Sequence, residues 1–107
     1  MNPNDILFHC AGFEWDDDNL LKNWEKHRVS FWECEEVFFN QPLLLAGDTR
    51  HSEKEKRFYV LGKTDAERLL FAAFTIRQKR IRVISARDMS RRERSEYINA
   101  EEKDTEL

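Results

Sequence analysis

Three consecutive segments with the residue pattern of β-strands constrain the fold of this chain more than any other feature. Residues 57–62, 68–77 and 81–87 are rich in Val, Ile, Phe and Tyr, and short polar turns separate them. Strands joined by short turns usually pair as antiparallel neighbours, so this pattern predicts an antiparallel meander. A chain of 107 residues is long enough for one small domain around such a sheet.

Two helices are predicted ahead of the meander. An acidic run suits a helix N-terminus and predicts a helix over residues 17–27. This helix carries Leu20, Leu21 and Trp24 on one side, which is its apolar face. The three tryptophans of the chain are expected in the core or against a partner. A capping box at residues 30–33, Ser to Glu, predicts that a second helix follows at once.

A second capping box, at residues 90–93, predicts a third helix that ends near Ala100. Short strands are expected at 13–15 and 43–46. The predicted fold class is α+β, with a small antiparallel sheet packed against the two N-terminal helices and followed by a C-terminal helix. The sheet is a meander of three to four strands plus a short N-terminal strand. The predicted parts of the chain are an N-terminal arm at 1–12, one domain at 13–100 and an acidic C-terminal tail at 101–107.

Several classes of protein are excluded by what the sequence lacks. No apolar stretch approaches the ~20 residues of a membrane helix, and no secretory signal opens the chain, so we expect a cytoplasmic protein without a membrane partner. The two cysteines form no CxxC motif, and the histidines lack the spacing of metal ligands. We therefore expect no metal site and no cofactor.

The charge is distributed unevenly along the chain. Residues 1–47 contain nine acids and three bases, whereas residues 48–100 contain eight acids and fourteen bases. Binding of a polyanion follows the local field rather than the net charge of -3. Most of these bases are arginines, whose planar fork suits phosphate. The basic half is therefore a candidate surface for nucleic acid, and an ordinary solvated surface is the alternative.

Histidine and lysine supply the candidate proton carriers. His51 lies in a polar segment, and a histidine with a pKa near ~6.5 exchanges protons at neutral pH. Arg50 and Arg57 flank it and could hold phosphates. The alternative is a surface loop with an ordinary histidine. Lys26 ends the first predicted helix, where its alternative role is to pair with the helix dipole.

The positions of two arginines in the last strand decide whether the basic side chains can line one site. Arg82 and Arg87 are separated by an odd number of residues, so an undistorted strand places them on opposite faces. Both can line one site only if a bulge intervenes or Arg87 lies past the strand end. Arg77 falls at the end of the preceding strand, beside a basic turn.

Several fragments, taken in order along residues 13–98, closely resemble the BrnT toxin family. The matching fragments are Phe13-Glu14-Trp15-Asp16, Lys26-His27, Val29-Ser30-Phe31, Glu36-Val37-Phe38-Phe39, Asp48, Arg50-His51-Ser52-Glu53, Glu55, Arg57, Phe74-Thr75, the strand 81–87, Ser90, Arg92-Glu93-Arg94 and Tyr97. Each fragment is common by itself, and their order and spacing make the resemblance specific. The sequence departs from the family at Arg28, where the family usually has glycine.

The resemblance implies a toxin of a type II toxin–antitoxin module. Such a toxin is a ribonuclease with a fold like that of RelE toxins, and a protein antitoxin, BrnA, neutralises it. The complex is expected to bind operator DNA mainly through the antitoxin.

Metal-independent RNA cleavage needs proton-transfer groups and cations around one phosphate. The resemblance favours His51 as proton carrier, with Lys26 as a second candidate. Arg57, Arg82 and Arg87 are the candidate phosphate clamps. Arg91 and Arg92 lie in a first helical turn, where free amides also favour anions. Arg50, Arg77 and Tyr97 complete the expected RNA-binding set, with Tyr97 stacking on a base.

Two other classes of function remain open at this point. A binding module would use the basic half to hold RNA or an acidic partner without chemistry. Direct recognition of DNA would need a recognition helix, for which the helix after residue 90 is the only candidate.

Overall fold

The computed structural model describes residues 7, 9–48 and 56–105. The elements follow in the order β1 (Phe13–Glu14), α1 (Asp17–His27), α2 (Phe31–Val37), β2 (Leu44–Asp48), β3 (Arg57–Lys63), β4 (Leu69–Arg77), β5 (Arg80–Asp88) and α3 (Arg91–Thr105). The strands form one sheet in the order β1-β5-β4-β3-β2. The α+β class and the element order are confirmed.

The predicted meander is confirmed, since β2 through β5 pair as consecutive antiparallel neighbours. The short strand β1 joins the other edge and runs parallel to β5, with Phe13 beside Ile81. Backbone bonds outside the ladder extend this contact, because the N–H of Ile81 donates to the Gly12 carbonyl at 2.8 Å. The N-terminal strand therefore covers the first half of the β5 edge.

One face of the sheet packs against α1 and α2 and forms the core. Its buried side chains include Phe58, Val60 and Phe74, and α2 contributes Cys34 and Val37. The helix comes very close to β3 at Gly62, where an added Cβ would lie 3.0 Å from the Val37 Cβ. A larger residue at this position would push α2 away from the sheet.

Helix starts follow the predicted capping signals. The Asp16 carboxylate accepts hydrogen bonds from the first turn of α1, and Ser30 and Glu33 form the predicted capping box of α2. Helix α1 ends at Arg28, which has a left-handed backbone with φ 53°. This conformation costs a non-glycine residue about 1–2 kcal/mol. It explains why glycine suits the position, and here the Arg28 guanidinium lies 5.4 Å over the Trp24 ring.

The apolar side of α1 is not its buried side, which corrects the expectation for two of its residues. Leu21 is 53% exposed and Trp24 is 45% exposed, whereas Asn23 is buried. The Asn23 Oδ1 accepts a hydrogen bond from the Ala86 N–H at 3.2 Å, on the stretch of β5 that β1 does not cover. The helix is therefore turned to satisfy an open strand edge, since an unpaired buried N–H costs free energy.

Helix α3 extends five residues beyond the predicted end at Ala100, into the predicted acidic tail. The carboxylate of Glu101 accepts a hydrogen bond from the Lys63 Nζ at 2.9 Å, which ties this added turn to β3. Within the described ranges, no helix is long and apolar enough to cross a membrane.

Arg68, the residue just before β4, joins four parts of the fold. Its guanidinium donates to the carboxylate of Asp88 at 2.8 and 3.2 Å and to Glu33 at 3.1 Å. It also donates to the carbonyls of His27 and Arg28, where α1 ends. One side chain thus holds the end of α1, the start of α2 and the end of β5 together.

These contacts predict a loss of stability in acid. The hydrogen bond from Arg68 lowers the pKa of Asp88. Burial raises the pKa of Glu33, but hydrogen bonds from Ser30 and Arg68 outweigh it and leave this pKa below its ordinary value of 4.5. A lowered carboxyl pKa stabilises the fold above the ordinary pKa, and the stabilisation is lost as the pH falls through the lower folded-state value.

We therefore expect the free energy of unfolding to fall as the pH drops below about 4.5. In Arg68→Met this fall should be smaller by about 1 kcal/mol, because the contacts of Arg68 with Asp88 and Glu33 are lost. The difference is modest because these side chains are partly exposed. Urea unfolding at pH 7 and pH 3 measures the difference, with Arg92→Met, an exposed arginine on α3, as the control. An equal acid loss in Arg68→Met and the parent protein would contradict the assignment.

Candidate functional site

The sheet face opposite α1 and α2 carries three of the predicted arginines, and we call it the arginine face. The register places Arg57 and Arg82 on either side of Thr75, and it places Arg87 beside Phe71. Arg82 and Arg87 share this face because β5 has an irregularity at Ile84, where Ser85 pairs with Ala73 and Val83 pairs with Phe74. One extra residue reverses the alternation. The strand therefore contains a β-bulge, which is one of the two conditions under which both arginines can line one site.

Arg57, Thr75 and Arg82 form a row across β3, β4 and β5, which we call the arginine row. Adjacent strands lie about 4.8 Å apart, so the two arginine backbones are about 10 Å from each other. Long side chains can converge across such a distance. Arg57 is exposed, and the Thr75 Oγ donates to the Lys56 carbonyl at 2.9 Å. The row therefore presents two guanidinium groups from a rigid sheet.

Arg82 is oriented by an acid from outside the sheet. Its Nη2 donates to the Asp16 carboxylate at 2.6 Å, and the side chain is 19% exposed. Backbone N–H groups of Asn19 and Asp18 lower the pKa of Asp16, and Arg82 lowers it further. A guanidinium has five N–H donors, so a bond to Asp16 leaves others for a phosphate.

Arg87 lies about 13 Å along the strand from the arginine row, because four residues of β4 separate Phe71 from Thr75. Its guanidinium lies 4.2 Å over the Phe71 ring and donates to both oxygens of Glu93, at 2.8 and 3.0 Å. The hydrogen bond from Arg87 lowers the pKa of Glu93. A cation so neutralised is a weaker phosphate clamp than Arg57, although it shares the same face.

The other predicted cations lie in several places. Arg77 is exposed at the end of β4, and Arg91 and Arg92 are exposed in the first turn of α3. Lys26 is exposed near the end of α1. Since α1 starts beside Arg82 and ends beside Asp88, Lys26 lies at the far end of α1 from Arg82, and its catalytic role stays a prediction.

Tyr97 is not a base-stacking residue, which corrects its assignment to the RNA-binding set. It is 0% exposed, and its hydroxyl donates to the Pro42 carbonyl at 2.6 Å. The ring is the main apolar group by which α3 docks on the domain, and a fully buried ring cannot meet a nucleotide.

His51 and Arg50 lie outside the described residues. Their roles as proton carrier and phosphate ligand therefore stay predictions. The described part of the chain holds no group of three or more His, Cys, Asp or Glu side chains arranged to bind a metal ion. Burial raises the pKa of Cys34 to about 12, so this thiol stays protonated and belongs to the core.

Aromatic residues of the arginine face were missed by the sequence reasoning. Tyr59 and Phe71 stack with ring centroids 5.6 Å apart and an interplanar angle of 24°. With Arg87 they make a continuous stack across β3, β4 and β5, which we call the stacking ladder. The signal was present in the two-residue spacing of Arg57 and Tyr59, which places both on one face of a strand.

A second apolar feature lies on the helices, away from the arginine face. A groove of about 260 Å³ is lined by Leu20, Trp24, Ser30, Phe31 and Trp32, and we call it the helix groove. Trp32 is 56% exposed, and Phe31 packs edge-on against it at 5.4 Å. Exposed clusters of large apolar side chains mark interaction sites more often than solvated surface.

Known proteins resemble this chain in sequence and in fold. Residues 15–93 match a family model described as the ribonuclease toxin BrnT of type II toxin–antitoxin systems. The fold is similar to that of the Brucella abortus ribonuclease toxin BrnT, solved at 1.1 Å, with a TM-score of 0.57 and 18% sequence identity. The match covers 75% of this chain and 97% of that one. A search of curated proteins gives no match.

Proposed function

Because the chain belongs to the BrnT family, the ribonuclease toxins of type II toxin–antitoxin systems, we propose that it cleaves RNA without a metal ion. The 2′-OH of the substrate attacks the adjacent phosphate and displaces the 5′-oxygen of the next nucleotide. The observation that carries this proposal is the arginine row, where Arg57 of β3 and Arg82 of β5 share one sheet face on either side of Thr75 of β4.

Two guanidinium groups on a sheet are suited to the charge that builds in this reaction. The phosphoryl oxygens gain negative charge as the 2′-oxygen attacks, and fixed donors stabilise that charge without reorganising. In the proposal, Arg57 and Arg82 hold the scissile phosphate. Arg77, Arg91 and Arg92 attract neighbouring phosphates, and Arg87 fixes the stacking ladder instead of clamping the phosphate.

His51 is the proposed proton carrier, and chain length supports its place beside the row. Asp48 pairs with Arg57 in the sheet. Three peptide units separate His51 from Asp48, and so short a segment spans at most about 11 Å. His51 would remove the 2′-OH proton or protonate the leaving 5′-oxygen. Arg50 would contact the phosphate backbone, and the proposal assigns no step to Lys26.

Cleavage assays with purified protein test this proposal. Single-stranded RNA should yield fragments with 2′,3′-cyclic phosphate ends, and EDTA should leave the rate unchanged. Loss of activity in EDTA that a divalent ion restores would overturn the metal-free reaction. RNA that is bound but remains intact would favour the alternative, a binding module on the same fold, for which the acid-paired Arg82 and Arg87 are the supporting observation.

The helix groove is the proposed docking site of the antitoxin. Membership in a type II toxin–antitoxin family implies such a partner and an RNA target. We take the antitoxin to be BrnA-like, to act in the cytoplasm with the toxin, and to supply the contact of the complex with operator DNA. Acids near the groove, including Asp17, Asp18 and Glu35, favour a partner segment with basic and apolar residues.

We expect Trp32→Ala to weaken antitoxin binding about thirtyfold or more, since a half-buried tryptophan at an interface centre contributes ~2 kcal/mol or more. Calorimetric titration with a BrnA-like antitoxin measures this change. Phe39→Ala is the matched control, because Phe39 is 75% exposed and does not line the groove. Equal affinity of Trp32→Ala and the parent would place the antitoxin elsewhere.

A further inference from the structure

A small cavity lies between the arginine face and helix α3. Its volume is about 280 Å³, and side chains of β2, β3 and β4 line it, with Tyr59 and Phe71 among them. Glu93 and Glu96 of α3 stand on its other side. Pockets that enclose drug-sized ligands measure ~300–1,000 Å³, so this cavity suits one flat ring system.

The side chains that line the cavity favour binding of a nucleobase over binding of a phosphate. The floor is apolar, with Leu44, Ala46 and Leu61. The rim carries two carboxylates, which repel phosphate. Tyr59 offers an aromatic ring whose orientation is fixed by Phe71, and bases stack on such rings whatever their identity.

The position of the cavity links it to the arginine row. Arg57 and Tyr59 are two residues apart on β3 and project from the same face, about 7 Å from each other along the strand. The base and the phosphate of a nucleotide are joined through its sugar, so a site for the base must adjoin the site for the phosphate.

We propose that this cavity is a nucleobase subsite in which Tyr59 stacks on the base and Glu96 accepts a hydrogen bond from its amino group. The subsite rests on the proposed function in taking single-stranded RNA as its ligand. The ligand class is a base with an exocyclic amino group, which adenine, cytosine and guanine have and uracil lacks.

The two glutamates differ in how free they are to bind a base. Both oxygens of Glu93 are held by Arg87, and one also accepts the Ser90 N–H at 2.7 Å. Glu96 is 56% exposed, and Arg92 lies 3.5 Å from its carboxylate on the helix surface. Glu93 therefore forms a fixed part of the cavity wall, and Glu96 is the acceptor for the amino group of the base.

Binding of non-cleavable strands tests the subsite independently of catalysis. The probes are 2′-O-methyl oligonucleotides of equal length made of adenosine, cytidine or uridine, titrated by fluorescence anisotropy at one salt concentration. We expect the adenosine and cytidine strands to bind about tenfold or more tightly than the uridine strand. Tyr59→Leu should weaken all three about tenfold. Tyr59→Phe keeps the ring and should bind as the parent does.

Glu96→Gln should reduce the discrimination against uridine, because the amide can donate to a uracil carbonyl. Equal affinity for the three strands, or unchanged binding in Tyr59→Leu, would overturn the subsite even if the protein cleaves RNA. If the preference is present but natural RNA stays intact, the subsite stands and the proposed cleavage fails. Circular dichroism of each variant confirms that it is folded, and Tyr59→Phe separates loss of the ring from loss of the hydroxyl.

Discussion

Replacement of His51 by alanine is expected to lower the rate of RNA cleavage by ~100-fold or more, because a positioned acid–base group contributes about 10²–10⁴ to such a reaction. RNA binding should change little, since the arginine row and not the histidine holds the phosphate. Single-turnover cleavage, with the affinity for a non-cleavable strand measured beside it, separates the two effects.

His27→Ala is the matched control for that experiment. His27 is exposed and lies at the end of α1, beside Asp88 and far along β5 from Arg82. Its variant should cleave at the parent rate. If His51→Ala also cleaves at that rate, the proton carrier is another group and the proposed role of His51 is wrong.

Replacement of Tyr97 by alanine is expected to destabilise the domain by about 3–5 kcal/mol, the usual cost of removing a buried aromatic side chain. The ring is fully buried, and its loss also leaves the Pro42 carbonyl without its hydrogen bond. Small domains are stable by only about 5–15 kcal/mol, so this loss removes a large share of the stability of the fold. Urea unfolding followed by tryptophan fluorescence measures the change.

Two further variants show which part of Tyr97 matters. Tyr97→Phe removes the hydroxyl alone and should cost about 1 kcal/mol. Ile98→Ala alters the next residue, which is 45% exposed, and should stay within about 0.5 kcal/mol of the parent. A Tyr97→Ala protein as stable as Ile98→Ala would contradict the view that this ring docks α3.

The elements of the fold were predictable because their signals are local. Helix α1 spans the predicted residues, and the capping boxes at Ser30 and Ser90 mark the starts of α2 and α3. The strands of the meander begin and end within one residue of the predicted bounds. Capping, alternation and short turns depend on neighbours along the chain, so a single sequence contains them.

Tertiary relations were less accessible to the sequence. Helix α1 buries Asn23 and exposes Trp24 because an open edge of β5 needs a hydrogen-bond acceptor. No periodicity of α1 alone can show that need. The burial of Tyr97 cannot be inferred from the local sequence either, since it depends on a partner at Pro42, 55 residues away.

The candidate site was predictable by residue type and only partly by position. The sequence singled out arginines of the strands as candidates, and Arg57 and Arg82 lie in one row. Lys26 was placed with them because its motif matched, but α1 carries it to the other end of β5. The side chain of Arg68 donates five hydrogen bonds within the described part of the chain, but no sequence motif marks this residue.

Because of the irregular pairing at Ile84, the side of the sheet on which Arg87 lies depends on the number of residues in β5. It depends less on which residue occupies position 84. A protein shortened by Ile84 alone would regain strict alternation with both guanidinium groups still on their present side. Lengthening β5 by one residue between Val83 and Arg87 would instead turn Arg87 toward the core if the present bulge is kept, and only the loss of that bulge or a second one would leave both arginines on one side. Insertion of a residue into β5, and not only substitution, can therefore remove the stacking ladder from such a toxin while every arginine is kept.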